Sequence, residues 1–126
     1  MKTPRFLFTL VLAFLSTVIL RPAVMAGGPG EKEKIEALIV HIEGLKDARF
    51  VRNGRSYDAP SAGKFLRGKW EANAAGIKTA ADFIEKAASV SSTSHQPYVI
   101  RFKDGKEQKC GEYLRAQLAK MEKAQK

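Results

Sequence analysis

The chain has no means of cross-linking itself. Cys110 is its one cysteine, so an internal disulfide is excluded and stability must come from packing. Histidine occurs only at 41 and 95, and two histidines with one distant cysteine make none of the ligand spacings of a zinc site. No metal and no cofactor is therefore expected. Acid–base pairs are equally scarce. Glu31, Glu33 and Glu36 crowd a helix start, where the dipole favours negative charge, and Asp82 falls at a cap. No glycine-rich loop follows a strand, which excludes the common phosphate cradle, and no aromatic series stands ready to stack bases. A nucleic-acid partner is not expected.

Long apolar runs are missing too, with one exception. Lys2 and Arg5 precede an apolar run from Phe6 to Leu20, followed by Ala23-Val24-Met25-Ala26. That run is about 15 residues, short of the roughly 20 a membrane-spanning helix needs, and it ends at small residues suited to cleavage. Residues 1–26 are thus expected to be a signal peptide and the protein to be periplasmic. Residues 27–30 read as a flexible leader, 31–122 as one domain and 123–126 as a charged tail. Arg21-Pro22, between run and cut, keeps an uncleaved anchor as the alternative.

Negative charge is in deficit, with 13 acidic against 22 basic residues. Three of the basic residues lie in 1–26, so the mature chain carries 19 against 13, a formal charge of +6. The excess is concentrated. Arg49 to Lys69 nets +5 and Tyr98 to Lys126 nets +4, while the segments starting at Glu31 and Trp70 are slightly acidic.

Against these absences stands a regular pattern. Ile35, Leu38, Ile39, Ile42 and Leu45 recur at spacings of three and four and predict an amphipathic helix. Phe50 to Tyr57 reads as two short strands around Asn53-Gly54. A second helix is expected with Ser61 as its cap and Ala62, Phe65, Leu66 and Trp70 on one face. Thr79-Ala80-Ala81-Asp82 resembles a capping box opening a third helix that ends near Ser89. Tyr98, Ile100 and Phe102 alternate with polar residues up to Asp104-Gly105, which predicts a type I′ hairpin. A last helix follows from about Gly111. The expected fold class is α+β: two short antiparallel β-hairpins packed against about four helices, in a helix–hairpin–helix order that occurs twice. Val51-Arg52-Asn53-Gly54-Arg55 and Phe102-Lys103-Asp104-Gly105-Lys106 share enough text to raise duplication, though the plainer reading is that two hairpins independently chose the same turn chemistry.

The run Tyr98-Val99-Ile100-Arg101-Phe102-Lys103-Asp104-Gly105, preceded by Ser91-Ser92-Thr93-Ser94 and followed by Glu112-Tyr113-Leu114, resembles an uncharacterised family of small exported proteins of Gram-negative bacteria. The similarity runs from Ile35 to Met121, through Phe65-Leu66-Arg67 and Lys69-Trp70. It implies an exported single domain and brings no activity, ligand or catalytic residue. In that family's pattern Gly commonly stands where this chain has His95, and Ser or Thr where it has Cys110.

Few side chains offer chemistry. Cys110 follows Lys109 at a helix start, where the dipole can lower a thiol's pKa, so it is the candidate reactive thiol; the plainer reading is a cap position that a hydroxyl would fill better. His41 borders the first helix's apolar stripe and reads as structural, as does Trp70. The charged turns are the better site. Arg52, Arg55, Arg101, Lys103 and Lys106 flank the two hairpin turns, and hairpins packed side by side would merge them into one anion-binding surface. The plainer reading is that charges on short edge strands block aggregation. Ser91, Ser92, Thr93 and Ser94 offer hydroxyls to a ligand or, more simply, to their own turn. The expected function is a non-catalytic binding module whose partner is a periplasmic protein or an anionic envelope component. The alternatives are a small periplasmic enzyme using Cys110 or the Ser91–Ser94 loop, and an envelope assembly protein.

Overall fold

The apolar spacing at the start of the domain produces the helix on which the rest is assembled. In a computed structural model, which describes residues 30–124, α1 spans Glu31–Glu43 and buries Ile35, Leu38, Ile39 and Ile42. The export segment expected at 1–26, leader residues 27–29 and tail residues 125–126 lie outside the described residues. Glu31 does more than complement the helix dipole. Its carboxylate accepts from the Ala80 backbone N–H at 2.7 Å and from Lys34 Nζ at 3.2 Å, two bonds that hold its pKa below the usual carboxylate range. Lys34 also donates to Glu122 at 3.1 Å, so the start of α1 is tied to two later helices.

Strands β1 (Arg49–Arg52) and β2 (Arg55–Tyr57) close through Asn53 and Gly54, both at positive φ (51° and 79°), as a type I′ turn requires. Helix α2 (Ala59–Ala72) starts earlier than expected. Asp58, not Ser61, is the cap: its carboxylate accepts from the Ser61 N–H at 2.9 Å, and Pro60 occupies the first turn, where a missing N–H costs nothing. Gly63 is more than a weak helix residue. A Cβ there would collide with the Glu43 side chain, so the glycine lets α2 lie close along α1. Arg67 then ion-pairs across the same seam with Glu36 and Glu43.

A short 3₁₀ turn that no feature of the sequence announced, Ala74–Gly76, precedes α3 (Ala80–Ala87). The capping box forms as expected: Thr79 Oγ1 accepts from Asp82 N–H at 3.0 Å, and the Asp82 carboxylate accepts from Thr79 N–H at 3.1 Å. Trp70 packs edge-on against Phe83, with ring centroids 6.2 Å apart.

The second hairpin, β3 (Val99–Arg101) and β4 (Glu107–Lys109), departs from the expected type I′ turn. Only Gly105 takes positive φ (90°); Gly105 N–H bonds Phe102 O and Phe102 N–H bonds Lys106 O, both at 2.8 Å. This is a three-residue loop with glycine in the left-handed position, which spares Asp104 a strained conformation. Helix α4 (Cys110–Ala124) follows β4 without a break and carries helical structure into the segment expected to be a tail.

The two hairpins form one antiparallel four-stranded sheet in the order β2-β1-β3-β4. β1 and β3 meet at the centre with Phe50 opposite Ile100; both are buried in the core with the inward residues of the helices. The strand order is symmetric about that central pair, as twofold repetition of helix–hairpin–helix would give. One consequence decides the fate of the charged turns. Because β1 and β3 run antiparallel, Arg52 lies near the start of β3 while Arg101 lies opposite Arg49, so the Asn53-Gly54 and Asp104-Gly105 turns sit at opposite ends of the sheet. No helix among the described residues is long and apolar enough to cross a membrane.

Candidate functional site

Period-two alternation in β1 puts Arg52 on the same side of the sheet as Phe50, toward the helices. Spacing of four in α2 puts Phe65 and Lys69 on one face of that helix. Between them lies a cavity of about 360 Å³ walled by Phe50, Tyr57, Ala62, Phe65, Leu66, Tyr98 and Cys110, with Arg52, Ser61 and Lys64 the polar residues of its lining. An adjoining depression of about 410 Å³ is lined by Gly68, Lys69, Ala72, Asn73, Ser91, Ser92 and Thr93. Arg52, Phe65 and Tyr98 border both.

The cations are held by rings. Arg52's guanidinium lies 4.4 Å from the Phe65 centroid and 5.6 Å from that of Tyr57. Lys69 Nζ lies 5.2 Å from the Tyr98 centroid and 5.7 Å from Phe65, and donates to Tyr98 Oη at 3.0 Å. Tyr98 and Phe65 meet edge to face at 5.6 Å. Such contacts contribute about 0.5–2 kcal/mol each, depending on how dry they are. Among the described residues neither Arg52 nor Lys69 has a carboxylate within ion-pair distance, a condition they share with most of the basic residues; what distinguishes them is that both are half-buried and held over rings.

The serine loop satisfies mainly itself. Ser91 is buried, and its Oγ accepts from Asn53 Nδ2 at 3.2 Å and from the N–H groups of Thr93 and Ser94 at 3.3 Å. Ser94 Oγ donates to Asn53 Oδ1. The loop is thereby clamped to the first hairpin turn, and Ser91, Ser92 and Thr93 line the depression. His95 is exposed just after the loop's turn with φ of 60°. A non-glycine residue there costs about 1–2 kcal/mol. Replacing His95 with glycine is therefore expected to raise stability by about 0.5–1 kcal/mol after the entropy of the freer unfolded chain is subtracted; an unchanged or lower denaturant midpoint would contradict the strain.

The expected site thus divides. Arg52 and Arg55 face each other across the first hairpin, beside Ser91 to Ser94. Arg101, Lys103 and Lys106 stand at the far end, where Arg101 is bonded to Glu107 at 2.7 Å. One merged basic surface does not form, because the antiparallel centre of the sheet points the turns apart. Lys69, Tyr57, Phe65 and Tyr98 were missed as site residues. The four-residue step from Phe65 to Lys69 was visible, but only tertiary packing brings it to Arg52.

Cys110 is not the reactive thiol its position promised. It is the first residue of α4 rather than a cap, its N–H bonds Tyr98 O at 2.8 Å, and burial in the cavity wall pushes its pKa up to about 12. Desolvation outweighs any help from the helix dipole. His41 is half-buried, its ring nitrogen 2.7 Å from Tyr113 Oη, and burial lowers its pKa, helped by the charge of Lys120. No group of three or more metal-ligating side chains comes together among the described residues.

Fold and groove together define a small α+β domain with a ligand-sized apolar cavity rimmed by aromatic-held cations. The chain belongs to DUF5329, a family of unknown function, whose model matches residues 29–122. It is 34% identical over 89 residues to the uncharacterized protein YfeK of Salmonella typhimurium, covering 71% of this chain and 74% of that protein. No solved structure matches it.

Proposed function

We propose that the protein is a non-catalytic binding module of the cell envelope that takes an anionic ligand or partner at the Asn53-Gly54 end of its sheet. One observation carries this reading: Arg52, lining the apolar cavity, and Lys69, lining the adjoining depression, are held over aromatic rings, and among the described residues neither has a carboxylate within ion-pair distance. Both cations are half-buried, where partial loss of water makes an acidic partner worth more, and an anion from outside would fill that place. The enzyme alternative is weakened by the protonated, buried Cys110 and by the use of Ser91 and Ser94 hydroxyls to clamp Asn53. Export rests on the Lys2 to Ala26 pattern, and the periplasmic fraction is expected to hold a chain beginning at Gly27 by mass spectrometry.

Binding to phosphatidylglycerol vesicles, to purified peptidoglycan or to the small-molecule fraction of periplasm, the last read as a shift in melting temperature, tests the reading. At least one should bind, weakening between 50 and 300 mM salt and falling at least tenfold (about 1.4 kcal/mol) in Arg52→Glu with Lys69→Glu. Silence of all three, or binding indifferent to salt and to the double substitution, refutes it. Arg101→Glu with Lys103→Glu, at the opposite end, should change little.

A further inference from the structure

The cavity and the cations are two halves of one recognition problem. An anion alone would need only the depression that Lys69 borders, and an apolar group alone would not explain Arg52 lining both the cavity and the depression. We infer, resting on the binding reading above, that the recognised group is a carboxylate carrying a short apolar tail. The tail enters the cavity between Tyr57, Phe65 and Tyr98, and the carboxylate sits where cavity and depression meet, against Arg52 with Lys69 on its far side.

Three features set this class. At about 360 Å³ the cavity is near the lower bound of small-ligand pockets, about 300–1,000 Å³, so it fits a chain of several carbons or a single ring and not the paired chains of a phospholipid. Its lining is mainly apolar, with Arg52, Ser61 and Lys64 the polar exceptions, which rewards an apolar tail over a sugar or a polar peptide. The junction holds one guanidinium fork, which matches a carboxylate's two oxygens, with a second cation nearby. Four aromatic residues in the lining make a phenyl tail as suitable as an alkyl one.

Calorimetry on the purified protein with octanoate, 4-phenylbutyrate, 1-octanol and acetate tests the inference. Octanoate and phenylbutyrate should bind saturably at one site. Octanol, which lacks the charge, and acetate, which lacks the tail, should bind at least tenfold more weakly. Arg52→Gln should weaken octanoate at least tenfold, and Ala62→Leu, which fills the cavity, should abolish it while leaving salt-sensitive binding to an anionic surface intact. Equal affinity for octanol and octanoate, or no saturable binding of either acid, overturns the inference. Should Ala62→Leu not fold, resonances of the unsubstituted protein decide: octanoate must shift those of Tyr57, Phe65 and Cys110, and shifts confined elsewhere count against it. If the acids fail while anionic material still binds through Arg52 and Lys69, the tail assignment falls and the binding module stands. If neither binds, both fall.

Discussion

Replacing Phe83 with alanine is expected to remove about 3–5 kcal/mol of stability, a large part of what a domain of this size possesses. Phe83 is fully buried and is the largest of the fully buried side chains. It belongs to α3, at eight residues the shortest of the four α-helices among the described residues, which cannot persist without its apolar face. That face meets α1, α2 and α4, and the Phe83 ring meets Trp70 edge to face. Truncation therefore opens a void where four helices meet, with little freedom to close it. At roughly 4–8 °C per kcal/mol for a domain of about 100 residues, the melting temperature should fall by on the order of 20 °C. Val40→Ala, on an exposed position of α1, is the control and should shift stability by no more than about 0.5 kcal/mol. Thermal unfolding followed by circular dichroism reads both. A Phe83→Ala loss under about 1 kcal/mol would mean that α3 is peripheral to the core.

Most of the fold was legible because most of it is local. The spacing of Ile35, Leu38, Ile39 and Ile42 fixes a helix whatever surrounds it, and Thr79 to Asp82 announces a helix start through bonds spanning three residues. Local rules also explain two near misses. Asp58 displaced Ser61 as a cap because Pro60 suits the first helical turn, and Gly105 took the left-handed position alone because a three-residue loop asks for one such residue. What the sequence did not disclose is how the hairpins meet. Either edge of each offers the same backbone groups, and the choice of β1 against β3 follows from burying Phe50 opposite Ile100, a pairing fifty residues apart. The candidate site inherits that limit. Arg52 and the serine loop could be named from composition and turn chemistry, whereas the merged basic surface failed once the turns were seen to point apart. Lys69 and Tyr98 became visible only when α2 was laid over the sheet.

Cys110 supplies the second large effect, an alkaline weakness. Its thiol has an unfolded pKa near 9.0, and burial raises the folded value to about 12. Below pH 9 the thiol keeps its proton in both states, and its neutral form packs against the cavity wall at no electrostatic cost. Between pH 9 and 12 the unfolded chain releases the proton and the folded one retains it, so the unfolded state binds fewer protons and stability falls as pH rises. With about 1.4 kcal/mol for each pKa unit, the whole interval removes roughly 4 kcal/mol, about half of it by pH 10.5. Tyr113 is raised as well, chiefly by burial and then by the neighbouring Cys110, but it is present in any Cys110 variant and largely cancels in a comparison. Denaturant unfolding of the protein and of Cys110→Ala at pH 7.5 and 10.5 isolates the thiol. The unsubstituted protein should lose about 2 kcal/mol more than the variant over that range, and its thiol should react with a disulfide reagent at neutral pH far more slowly folded than unfolded. Equal losses in the two proteins, or rapid labelling of the folded one, would place the thiol in water and return the dipole-activated cysteine to consideration.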